Sequence, residues 1–80
     1  MSENISNNAI ILALLSLNGE IAIQKEYLDS GEVPEDEVED EQEVLDDLEQ
    51  AFMEFVDAYK GRARNDETLP SLDELLSGEG

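Results

Sequence analysis

Apolar residues recur every three or four positions through the first third of the chain, beginning in the stretch AIILALLSL. The members of this series are Ile10, Leu14, Leu17, Ile21 and Leu28. Such spacing places side chains on one face of an α-helix, so a first helix is predicted over residues 7–30. Ser6 or Asn7 is a suitable N-cap and Gly31 a suitable stop. Gly19, in the middle, is unfavourable in a helix by about 1 kcal/mol and leaves a break there as an alternative.

A second apolar period follows Pro34, which fits the first turn of a helix because proline has no N–H to leave unpaired there. Its members are Val38, Leu45, Leu48, Phe52, Phe55 and Tyr59. Their heptad-like spacing predicts a helix over residues 34–62. Lys60, Arg62 and Arg64 cluster at its end, where cations complement the helix dipole.

Leucines continue into the C-terminal segment, at positions 69, 72, 75 and 76. Ser71 followed by Glu74 matches a capping box and predicts a short third helix over residues 71–77. The motif LDELL has two interpretations. Its leucines either pack on their own domain or dock in the groove of another protein.

Together these patterns predict one small all-α domain over residues 1–80, an antiparallel two-helix hairpin plus a short C-terminal helix. A single hairpin does not cover the wide apolar face of the first helix, so a homodimer forming a four-helix bundle is expected. The residues predicted for the core or dimer contact are Ile10, Leu14, Leu17, Ile21, Leu45, Leu48, Phe52 and Phe55. The alternative is a monomer in which the third helix folds back over this face.

Charge is the strongest compositional signal, because 22 acidic residues face only 4 Lys and Arg and leave a net charge of −18. Such a field repels nucleic acid and anionic membranes and attracts basic surfaces. AIILALLSL is too short to span a membrane and lacks the basic flank of a signal peptide. A cytoplasmic protein is therefore expected, with a protein surface rich in Lys and Arg as its partner.

The acids of the second helix are not spread evenly around it. Those opposite the apolar series form a line that we term the acidic ridge, since steps of three or four residues stack side chains on one helix face. The acidic ridge comprises Asp36, Glu39, Glu43, Asp46, Asp47, Glu54 and Asp57. A charged line of this kind is usually only a solvated outer face.

The size of the repulsion between these acids indicates that the acidic ridge is more than a solvated face. If residues 34–62 are all helical, five acid pairs at i,i+4 and six at i,i+3 repel by about 2–5 kcal/mol in total. No basic residue lies between Lys25 and Lys60 to relieve this locally. The twelve carboxylates of residues 35–57 also fall about 3 Å apart along the axis, close to the charge spacing of one DNA strand.

In size, charge and helix-borne carboxylates, the chain resembles the small acidic nucleic-acid mimics of phages and mobile elements. These include anti-CRISPR, anti-restriction and DNA-repair inhibitor proteins. The resemblance covers mainly residues 32–57 and includes no diagnostic motif. It implies an inhibitor whose acidic ridge occupies the positively charged groove of a DNA- or RNA-binding protein.

The chain lacks two of the side chains most often used in catalysis, because it has no His and no Cys. The usual general base, thiol nucleophile and soft metal ligands are therefore missing. No glycine-rich phosphate loop or calcium-loop pattern occurs. We expect no enzymatic activity, no cofactor and no metal site.

A second functional interpretation is a small helical adaptor or assembly subunit. It would bind a protein partner through apolar residues such as Ile11, Leu15 and Leu72, while the acids only keep the complex soluble. The two interpretations predict opposite effects of changing the acidic ridge and changing the apolar residues.

Overall fold

The structure, a computed structural model, describes residues 5–77. Its first helix, α1, runs over Asn7–Asp29, and the Asn-Gly pair in its middle causes no break. Ser6 is the N-cap, and its Oγ accepts a hydrogen bond of 3.0 Å from the N–H of Ala9. Gly31 follows the helix with φ of 79°, the left-handed conformation that glycine adopts without steric cost.

The second helix, α2, runs over Val38–Arg64, so it begins four residues later and ends two later than residues 34–62. Pro34 lies outside it in an extended conformation, with ψ of 142°. A turn of 3₁₀ helix at Glu35–Glu37 connects them, closed by a hydrogen bond of 2.8 Å from the Glu37 N–H to the Pro34 carbonyl. Because Pro34 is extended, it does not supply the first α-helical turn, and regular geometry starts one turn later.

α1 and α2 pack on each other as an antiparallel hairpin, and the predicted all-helical fold with a short C-terminal helix is confirmed. The Arg62 guanidinium fixes the open end of the hairpin. Its Nη1 donates hydrogen bonds of 2.8 Å to the Ile5 carbonyl and to Asn7 Oδ1. Near the loop, Gln24 Nε2 donates to the carbonyl and the carboxylate of Glu41, at 2.9 and 2.8 Å.

The buried core is small and lies mainly at the open end of the hairpin. The buried apolar residues are Ile10, Leu14, Leu45, Val56 and Tyr59. Five other residues predicted for the core are half-buried, namely Leu17, Ile21, Leu48, Phe52 and Phe55. So few buried side chains provide limited hydrophobic stabilisation, as expected for a chain of this length.

Two valines differ from the heptad pattern. Val38 belongs to the apolar series but is 42% exposed, in the first turn of α2 directly after the 3₁₀ turn. Val56 falls outside the heptad positions yet is buried in the core cluster. Leu69, Leu72 and Leu75 of the C-terminal segment pack against the same cluster, so burial on α2 is not limited to the heptad positions.

The third helix, α3, spans Leu72–Ser77 and starts with the predicted capping box. The Ser71 Oγ accepts from the Glu74 N–H, and the Glu74 carboxylate accepts from the Ser71 N–H, both at 3.1 Å. Leu72 and Leu75 pack on the core together with Leu69 of the preceding turn. Two of the three leucines of LDELL therefore pack on their own domain.

Tyr59 fastens this C-terminal segment to the hairpin. Its ring is buried, and its hydroxyl donates a 2.5 Å hydrogen bond to the Pro70 carbonyl. Burial raises the pKa of Tyr59 above its usual value, and the negative charges of Glu74 and Asp66 raise it further. The neutral hydroxyl is thus the form that the folded chain favours.

Candidate functional site: the acidic ridge

The acidic ridge lies on two elements. Six of its members project from α2, while Asp36 lies in the preceding 3₁₀ turn. All seven side chains are exposed to solvent. The ridge is therefore an uncovered surface along most of the second helix.

The ridge faces away from the rest of the protein. At 100° per residue, its members centre roughly 160° around α2 from the buried residues Leu45, Val56 and Tyr59. Those residues point toward α1 and the C-terminal segment. The hairpin contact thus fixes α2 in the rotation that turns its ridge outward.

Within residues 5–77, no Lys or Arg forms an ion pair with a ridge carboxylate. One ridge carboxylate accepts a side-chain hydrogen bond, at 3.3 Å from Gln42 Nε2 to Asp46 Oδ1, and that contact is exposed. The carboxylate oxygens of the ridge accordingly have lone pairs available to an external donor.

Two acids of α2 outside the ridge do serve the fold. Glu41 is half-buried and accepts from Gln24, as described above. Glu49 forms an ion pair with Lys25 across the hairpin, with an N–O distance of 3.8 Å. This pair is open to solvent and contributes at most about 1 kcal/mol. This pair is not predictable from the sequence, because the two residues are distant along the chain.

Repulsion within α2 is smaller than the fully helical estimate, because Glu35–Glu37 are not α-helical. The pairs that remain at i,i+4 are Glu39–Glu43 and Glu43–Asp47. Those at i,i+3 are Asp40–Glu43, Glu43–Asp46, Asp46–Glu49 and Glu54–Asp57. These six pairs cost roughly 1–3 kcal/mol before screening by salt.

The ridge ends where the basic residues begin. Asp57 is its last member, and Lys60, Arg62 and Arg64 follow in the last two turns of α2. Arg62 is used in the contact with the start of α1. The three cations lie at the helix C-terminus, where they offset the dipole.

The described part of the chain has no enclosed pocket and no group of three or more acids placed to hold a metal ion. Asp66 is the one carboxyl of this part whose pKa is clearly lowered, by hydrogen bonds from the side chain and backbone N–H of Thr68. Those bonds close a turn after α2, so Asp66 has a structural role there.

Neither long helix in residues 5–77 contains a stretch apolar enough to cross a bilayer. Comparison with protein-family models, with curated proteins and with solved structures found no match to this chain. Its function is therefore argued from the chemistry of its own surface.

Proposed function

We propose that the protein is a non-enzymatic inhibitor that mimics the charge of a nucleic-acid backbone. Acting in the cytoplasm as a dimer, it blocks the positively charged groove of a DNA- or RNA-binding protein, such as a CRISPR effector or a restriction or repair enzyme. The acidic ridge makes the contacts. The inhibitor acts by occupying the groove and excludes nucleic acid by competition.

The observation that carries this proposal is that seven carboxylates are exposed on one outer face and that no Lys or Arg of residues 5–77 forms an ion pair with them. Phosphate-binding grooves present Lys and Arg at the spacing of a nucleic-acid backbone. A helix holds its carboxylates in place before binding, so little conformational entropy is lost when they are gripped.

The cost of the ridge supports the same conclusion. Repulsion of roughly 1–3 kcal/mol within α2 is a sizeable fraction of the stability of a domain, typically about 5–15 kcal/mol. A net charge magnitude of about 2–8 already gives a small domain good solubility, and this chain carries −18. Solubility alone does not account for so many aligned acids.

The proposal is tested by affinity capture with two variants of equal charge. The ridge variant carries Glu43→Gln, Asp46→Asn, Asp47→Asn and Glu54→Gln. The control variant loses four charges away from the ridge through Glu20→Gln, Glu32→Gln, Glu67→Gln and Asp73→Asn. The wild-type and control proteins are expected to capture the same nucleic-acid-binding protein, and the ridge variant to lose it.

Competition and salt complete the test. Nucleic acid that binds the captured protein should displace the inhibitor, and raising salt from about 0.15 to 1 M shortens the screening length from about 8 to 3 Å and should abolish binding. Capture of partners that lack a basic groove, or equal binding by the ridge and control variants, would refute the proposal.

A specific observation also favours the adaptor interpretation in a reduced form. Leu15 is 42% exposed, so an apolar surface on α1 is open to a partner. Ile11 and Leu72, by contrast, pack on the core cluster and are not available for one. If Leu15→Glu abolishes partner capture while the ridge variant does not, the adaptor function replaces the inhibitor.

A further inference from the structure

The outward side of α1 is mostly apolar and carries little charge, whereas the outward side of α2 is strongly acidic. We define the outer face of α1 as the exposed residues opposite its contact with α2. They are Asn8, Leu12, Leu15, Ser16, Gly19, Ala22, Ile23 and, near the C-terminal end of the helix, Glu26. Ile23 is 61% exposed and Leu12 is 56% exposed. The hairpin thus has an acidic side and an apolar side, and α3 covers neither of them.

We infer that a second copy of this chain occupies the outer face of α1, with the two α1 helices antiparallel and crossing at Gly19. This inference names the contact surface and geometry of the dimer and does not depend on the ridge binding a target. It makes a back-to-back dimer in which the two acidic ridges face outward on opposite sides.

The chain exposes more surface than a compact monomer of its mass, as expected of a chain with an uncovered contact face. The chain exposes 5747 Å², whereas a folded monomer of 8.9 kDa is expected to expose about 4,800 Å². The excess of roughly 900 Å² is close to the 800 Å² or so that each partner contributes to a standard interface. The radius of gyration, 15.1 Å, likewise exceeds the value of about 12 Å typical of a compact chain of this length.

Charge selects this face for self-association. Two chains of charge −18 repel each other over most of their surfaces, but residues 7–19 contain no charged residue. The charges of α1, Glu20, Lys25, Glu26 and Asp29, all lie in its second half. An antiparallel arrangement sets the charged half of each helix beside the uncharged half of the other, whereas a parallel one sets like charges together.

The central part of the outer face, residues 15–23, is also self-complementary about Gly19. Leu15 and Ile23 lie four residues before and after it, and Ser16 and Ala22 lie three before and after. A two-fold axis at Gly19 therefore places Leu15 of one chain against Ile23 of the other, twice, as an isologous contact requires. The small residues between them allow the two helix backbones to approach closely.

Concentration-dependent sedimentation of the protein alone gives the first test. The wild type should sediment as a dimer. Leu15→Glu and Ile23→Glu should raise the dissociation constant at least about 100-fold, because each change occurs twice in a symmetric interface. Met53→Glu is the matched control, since Met53 is an exposed residue of α2 outside this face. Unchanged circular dichroism would show that the variants remain folded.

Substitutions at Gly19 provide a second test. A small side chain there should stabilise the folded monomer, whereas a large one should disrupt the dimer. A Cβ added at Gly19 meets no atom within 4 Å in the single chain. Gly19→Ala should therefore favour folding of a monomeric Leu15→Glu background about fivefold, by helix propensity. Gly19→Leu in the otherwise wild-type chain should instead dissociate the dimer, because the larger side chain holds the crossing helices apart.

Disulfide formation between introduced cysteines tests the relative orientation of the two α1 helices, since the chain contains no Cys of its own. Gly19→Cys should cross-link to its own copy on oxidation. A mixture of Leu15→Cys and Ile23→Cys chains should cross-link to each other, but Leu15→Cys alone should not. In the antiparallel arrangement its two copies lie about 12 Å apart along the axis, beyond the Cα separation of about 7 Å that a disulfide spans. Self-cross-linking of Leu15→Cys would establish a parallel dimer and overturn the proposal.

The outcome separates this inference from the proposed function. A wild-type chain that stays monomeric at high micromolar concentration, or a dimer disrupted by Met53→Glu and not by Ile23→Glu, overturns the inference even if the ridge binds its target. A dimer with the predicted cross-links stands even if capture by the ridge fails.

If the inhibitor function and the back-to-back dimer are both correct, the distance between the two ridges determines how many target molecules one dimer binds. Three helix-to-helix spacings of about 8–10 Å place the two α2 axes roughly 24–30 Å apart, so each ridge engages its own target molecule. Native mass spectrometry of the captured complex should find two targets per dimer, and one per chain for Leu15→Glu. One target per dimer would refute the outward arrangement of the ridges.

Discussion

Neutralising the middle of the acidic ridge should stabilise the protein. This result would show that the ridge carboxylates destabilise the fold, as expected if their role is to bind a partner. The variant carries Glu43→Gln, Asp46→Asn and Asp47→Asn. These positions are far enough from the helix start that the dipole contributes little to their carboxylates. Gln and Asn also have helix propensities close to those of the acids that they replace.

The expected gain follows from the pairs present in α2. The three changes remove five of its six acid pairs, leaving only Glu54–Asp57. At about 0.2–0.5 kcal/mol for each pair, the free energy of unfolding should rise by roughly 1–2.5 kcal/mol. For a domain of this size, the melting temperature should then rise by roughly 4–20 °C.

Thermal and urea unfolding followed by circular dichroism, at low salt and at 1 M salt, provide the assay. The control carries Glu20→Gln, Glu32→Gln and Glu67→Gln, which remove the same net charge but no acid pair at helical spacing within α2. The difference between the two variants should shrink in 1 M salt, where screening suppresses the repulsion. If the ridge variant is no more stable than the control at low salt, the ridge has no folding cost and that part of the functional argument fails.

Three further predictions test the fold around the ridge. Leu14→Ala should lower the free energy of unfolding by about 2–5 kcal/mol, because the side chain is completely buried, whereas Met53→Ala on the exposed surface should change it by less than about 0.5 kcal/mol in chemical denaturation. Ser71→Ala removes the α3 cap and should cost about 0.5–2 kcal/mol, with faster amide hydrogen exchange confined to residues 69–77. The raised pKa of Tyr59 means that this residue loses its proton first in the unfolded chain, so its contribution to stability should be constant below about pH 10 and fall as the pH rises further. Tyr59→Phe should abolish this alkaline loss in pH-dependent urea titrations, and Tyr27→Phe should retain it.

Local signals in the sequence were sufficient for the helices. The periodic leucines and isoleucines, the cap at Ser6, the glycine stop at position 31 and the Ser71–Glu74 capping box act within one or two turns of chain. Interactions at such short range do not depend on the rest of the fold. The start of α2 was misplaced because Pro34 is compatible both with a first helical turn and with an extended residue before it.

Contacts between distant residues depended on the tertiary structure. No local pattern in the sequence predicts the ion pair of Lys25 with Glu49, the hydrogen bond from Arg62 to the start of α1, or the burial of Val56. Each depends on residues that are far apart along the chain. The folding of the C-terminal leucines onto the core belongs to the same class. The sequence favours packing of these leucines on their own domain but leaves docking on a partner as the alternative.

The sequence by itself determined that this protein carries a continuous line of carboxylates on one helix, because helical periodicity alone aligns residues three and four apart. Only the tertiary structure decided which way that line points and what lies opposite. Packing of α2 on α1 fixes the rotation of both helices, and this rotation turns the acids outward on one side and leaves uncharged apolar side chains exposed on the other.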